Sequence, residues 1–75
     1  MRFVVKAIHP ELGVLETSAI VSSYGDACIE NSCLMFRLQA NFRDSVISRL
    51  KIVIEKFFIG KDGKAVVLTT EESRV

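Results

Sequence analysis

With 75 residues the chain has room for one domain and one shared core, since independent domains rarely fall below about 50 residues. Residues of the AVILMFWYC set make up 49% of it and only one is proline, a balance that excludes a disordered chain. Ten Lys and Arg against nine Asp and Glu leave a formal charge of +1, too little for the long-range attraction that a general binder of nucleic acid or anionic membrane uses.

Arg2 to Ile8 (RFVVKAI) is apolar and β-branched enough to predict a strand, and His9-Pro10-Glu11-Leu12-Gly13 follows as a turn. Val14 to Val21 predicts a second strand, so the first twenty-odd residues are expected to form an antiparallel hairpin. This strand-like N-terminus lacks the apolar block of a signal peptide, and no window approaches the roughly 20 apolar residues of a membrane span. A cytoplasmic protein is the expectation.

Ser23, with Asp26 three residues on, approximates a capping box and predicts that a helix starts there. Ile29, Cys33, Phe36 and Ala40 then recur at spacings of four, three and four, which predicts a core-facing stripe bordered by Asp26, Glu30 and Arg37. Leu34, Met35 and Leu38 fall off that stripe. They either widen the buried face or form an exposed apolar patch, and the second option makes them a candidate partner surface together with Arg37, Arg43 and Arg49. Cys28 and Cys33 sit about 140° apart around the helix axis, too divergent for a disulfide, and are expected as free thiols that act as small, partly buried hydrophobes.

Asp44 to Ile59 has two readings. On a helical template Val46, Ile47, Leu50, Val53, Ile54, Phe57 and Phe58 fill the buried face, Ile52 is the one apolar residue off it, and Gly60 can end the helix. Against that periodicity, Ile52-Val53-Ile54 and Phe57-Phe58-Ile59 have strong β-propensity. Asp62-Gly63 makes a two-residue type I′ turn into Ala65 to Thr70, pairing Ile59 with Val66 and Phe57 with Leu68. The outcomes are ββααβ or ββαββ, both α+β with a small antiparallel sheet packed against one or two helices in a single domain. Glu71 to Val75 is polar and terminal and is expected to fray.

Little here points to catalysis. His9, the single histidine, stands beside a proline in a turn and is expected to be exposed. The carboxylates are scattered, no Ser or Cys lies in a nucleophile motif, and Gly60-Lys61-Asp62-Gly63-Lys64 does not match a phosphate loop. No metal or cofactor is implied, because one histidine and two cysteines on divergent faces cannot complete a ligand set. Arg37, Arg43, Arg49 and Lys51 interleave with Phe36 and Phe42, the one arrangement with the elements of a single-stranded nucleic-acid site. Near-neutral charge and the absence of known recognition motifs argue against it.

The plan of a hairpin, a helix opened by Ser22-Ser23-Tyr24-Gly25-Asp26-Ala27 and an apolar C-terminal segment ending in Lys61-Asp62-Gly63-Lys64 resembles the small phage-encoded proteins that block host machinery, some anti-CRISPR proteins among them. The resemblance rests on residues 14–27 and 60–68. It implies a non-catalytic protein-binding inhibitor of viral origin that occludes a surface of a host complex. The alternative expectation is an interaction module that forms a homo-oligomer through a sheet edge or through the helix's apolar surplus.

Overall fold

The computed structural model describes residues 1–74, which run as β1 (Arg2–His9), β2 (Gly13–Thr17), α1 (Tyr24–Asn41), α2 (Asp44–Ile47), β3 (Lys51–Ile59) and β4 (Ala65–Arg74). The strands form one four-stranded sheet in the order β2-β1-β3-β4, antiparallel throughout. The fold is α+β, with a ββααββ order that contains elements of both expected outcomes.

The β1–β2 hairpin forms as expected, but β2 stops at Thr17. There Ser18 takes over the strand's role, its Oγ accepting the Val5 N–H at 2.9 Å while its own N–H donates to the Val5 carbonyl at 2.8 Å. The chain returns to β1 only at Val21, which bridges Phe3.

Helix α1 starts where the capping signal places it, with the Ser23 Oγ accepting the Asp26 N–H at 3.1 Å. Its sheet-facing side carries Ala27, Leu34 and Leu38, which pack with Val5 and Ala7 of β1, Ile52 of β3, and Ile47 and Leu50 at the α2–β3 junction. Because strand side chains alternate, Val4 and Val53 point to the other face of the sheet with Phe57, where they are buried outside this cluster.

The long helix, one of the two readings of Asp44–Ile59, is absent and the strand reading holds: one turn, α2, is followed by β3. Its central position between β1 and β4 explains the misleading pattern. Ile52 and Val53 are both buried, on opposite faces, so β3 lacks the alternation of a half-exposed strand and its apolar residues also fit a helical face. The β3–β4 connection differs from the expected type I′ turn by one residue. Gly60 closes against Lys64 through a 2.8 Å N–H···O bond, Gly63 donates to the Gly60 carbonyl at 3.0 Å, and Gly63 takes a left-handed φ of 79°. Three residues therefore form the loop. Ile59 pairs with Ala65 and Phe57 with Val67, until a bulge at Leu68 restores the expected offset from Lys56↔Thr69 onward. The strand continues through Glu71, so the C-terminal segment is paired where fraying was expected; Val75 lies outside the described residues.

Candidate functional site: the apolar surfaces

Helix α1 carries two stripes with the same spacing. Ala27, Asn31, Leu34 and Leu38 make one, and Ile29, Cys33, Phe36 and Ala40 make the other, two residues or about 200° away. The first faces the sheet. Leu34 and Leu38 are 0% exposed and Met35 packs partly against the same core, so these three residues are core and do not form the expected exposed patch. The second faces outward: Phe36 is 77% and Ile29 64% exposed, with Cys33 and Ala40 exposed between and beyond them. Cys28 is exposed too, so both thiols are free and neither fills the core.

The physical reason lies in the sheet. Ser23 fixes where the helix begins, and the side that then meets Val5, Ala7 and Ile52 is the one with a small residue at Ala27 and two leucines a turn apart. Apolar spacing pointed to the other side, Ile29, Cys33, Phe36 and Ala40, and the packing overturns that expectation. Asn31, whose buried Oδ1 has no hydrogen-bond partner among the described residues, is the polar flaw that disguised the inner stripe.

The three arginines do not form one basic surface. Arg37 Nε donates to Glu16 Oε1 of β2 at 2.9 Å, and Arg49 Nη1 lies 2.7 Å from Glu11 Oε1 in the β1–β2 turn. That guanidinium hydrogen bond and its charge hold the Glu11 carboxyl below the usual range. Arg43, in the extended link between the helices, is exposed and makes no ion pair with a described residue. Phe42 packs against the core, while Phe36 stands on the outer stripe.

A second apolar surface comes from unequal strand lengths. Strand β1 begins at Arg2, opposite Phe57, so β3 and β4 continue past it as a two-stranded arm. Phe58, Ile59 and Val66 are exposed there, Val67 and Leu68 are exposed at its base beside Phe57, Lys61 and Lys64 occupy its tip, and β4 is an edge of the sheet. A hairpin without a third strand is marginal by itself, and an edge strand presents unpaired amides and carbonyls. Residue composition pointed to the hairpin, but only the start of β1 reveals how much of it stands alone.

His9 departs from the exposed position expected of it. It is 5% exposed, and its Nδ1 accepts the N–H groups of Glu11 at 3.1 Å and Leu12 at 3.2 Å. The ring proton therefore sits on Nε2, and the imidazole acts as a cap for the turn that Pro10 opens. His9 also lines an open cleft of about 710 Å³ with Ile8, Pro10, Gly13, Ser48, Arg49, Leu50 and Lys51, where Arg49 is already matched by Glu11 and Lys51 by Glu72. Among the described residues no group of three or more His, Cys, Asp or Glu is placed to hold a metal ion, and no helix is long and apolar enough to cross a membrane.

Tyr24 ties the start of α1 to β4. Its hydroxyl donates to the Glu71 carboxylate, 3.0 Å from Oε1 and 2.9 Å from Oε2, and its ring meets Phe3 edge-on with centroids 6.1 Å apart. The hydrogen bond to a carboxylate pushes the phenol up to about 12. No known protein family, curated protein or solved structure matches this chain.

Proposed function

We infer that this is a non-catalytic, cytoplasmic protein-binding protein whose β3–β4 arm is the docking element. The observation that carries the reading is the exposure of Phe58, Ile59, Val66, Val67 and Leu68 on a hairpin that outruns its sheet. Ordinary surfaces expose large apolar residues singly, whereas here Phe58 and Val66 stand on one face of a short hairpin and Ile59 and Val67 on the other, an apolar concentration of the kind that marks partner sites. The unpaired edge of β4 adds a second means of recognition, because an extended partner segment can extend the sheet through main-chain hydrogen bonds while its side chains meet the arm. The resemblance to small phage-encoded inhibitors supports a further step: the partner is a host complex, and the chain acts by covering a surface that complex needs.

Affinity capture from a host lysate, performed with the native chain and with Val66→Lys/Leu68→Glu, tests this. Both positions are exposed, so the double variant should keep its thermal transition. The reading expects a partner that the native chain captures and the folded double variant does not. Equal capture by both would exclude the arm as the docking element.

A further inference from the structure

We propose that the outer stripe of α1 binds the same stripe of a second copy, with the two helices antiparallel about a two-fold axis. This inference uses a different surface from the arm and does not depend on the arm having a partner. The spacing of Ile29, Cys33, Phe36 and Ala40 is the alternation of three and four that forms the seam between paired helices, and all four residues are exposed.

The identity of the occupant follows from self-complementarity in size and charge. A two-fold between residues 34 and 35 sets Ile29 against Ala40 of the other copy and Phe36 against Cys33, a large residue facing a small one at every step. Glu30 and Arg37 lie on one flank of the stripe, with Asp26 beside them. In an antiparallel pair like flanks meet, which offsets Glu30 from the other copy's Arg37 by only about 3 Å along the axis. The two-fold repeats that contact on the same flank, at the other end of the seam. Arg37 spends its Nε on Glu16, which leaves the terminal nitrogens of its guanidinium for this second carboxylate. Asp26, in the first turn, comes level with Arg43 just past the far end of the helix. A parallel pair would instead put this charged flank against the flank of Cys28, Ser32 and Gln39, which carries no opposing charge, and would stack Phe36 on Phe36. Antiparallel helix dipoles favour the first arrangement as well.

Sedimentation equilibrium over a wide concentration range is the first test. The chain should pass from its monomer mass of 8.4 kDa to twice that value, and Phe36→Glu and Ile29→Lys should each stay monomeric with circular dichroism unchanged. Val66→Lys, on the arm, should dimerise as the native chain does. Orientation is read by a short bis-maleimide in a Cys28→Ser/Cys33→Ser background. Ile29→Cys/Ala40→Cys should give a covalent dimer and either single variant should not, because in antiparallel helices position 29 lies about 16 Å along the axis from its own copy. A native chain that is monomeric at every concentration would overturn the proposal. So would a dimer that survives both stripe substitutions, dissociation by Val66→Lys, or cross-linking of the single variants.

Discussion

The orientation of α1 decides which residues are core and which are surface, and one pair of truncations tests it. Leu34 is fully buried among Val5, Ala7 and Leu38, so Leu34→Ala removes three carbons from a core with little room to collapse around the gap and should cost about 3 kcal/mol. For a domain of this size each kcal/mol moves the thermal midpoint by about 4–8 °C, so the drop should be roughly 12–24 °C. Phe36→Ala removes a larger side chain, but one that is 77% exposed, and its cost should stay within about 0.5 kcal/mol. Calorimetry or thermal circular dichroism on dilute protein, below any self-association, measures both. Spacing on the helix favoured Phe36 as the core residue, so the reversed contrast comes from the packing. A larger loss from Phe36→Ala than from Leu34→Ala would put the outer stripe in the core and refute the assignment of both faces.

Tyr24 is the single tyrosine and there is no tryptophan, so phenolate absorbance reports it alone: its midpoint should lie near 12 and fall toward 10 in Glu71→Gln. Because the folded value is raised, the Tyr24–Glu71 contact stabilises fully below about pH 10 and is lost as pH rises toward 12, and a native midpoint near 10 would contradict the contact. Ser18→Ala should cost about 1–3 kcal/mol and speed exchange of the Val5 amide, since the buried N–H loses its acceptor; an unchanged exchange rate would mean that another group takes the bond. Asn31→Leu should raise stability by about 1 kcal/mol in denaturant unfolding, because it replaces an unpaired buried oxygen with an apolar side chain of similar volume on the inner stripe. A loss would show that the oxygen has a partner.

Local chemistry was legible in the sequence, and the choice between faces was not. The Ser23 cap and the first hairpin are short-range features, set by a few adjacent residues, and both are present, while the turn before Ala65 forms with one residue more than expected. Position on a face depends on what lies opposite. The stripes at 27/31/34/38 and 29/33/36/40 have one spacing, and only contact with β1 and β3 selects the first. For the same reason β3 resembled a helix: a central strand buried on both faces loses the period of two that identifies an edge or half-exposed strand. His9 illustrates a third limit. A histidine next to proline in a turn reads as solvated, yet its Nδ1 supplies the acceptor that two turn amides need. The arm became visible only from strand lengths, which set Phe58 and its neighbours beyond the reach of β1.

The most direct test of the functional reading is hydrogen–deuterium exchange on the chain alone and bound to the partner it captures. Alone, the amides of Phe58 to Val66 should exchange fast, as expected of a hairpin with no third strand. In the complex those amides and the outward-facing ones of β4 should become protected. Protection confined to the cleft around His9 and Arg49, with the arm exchanging as before, would contradict the account.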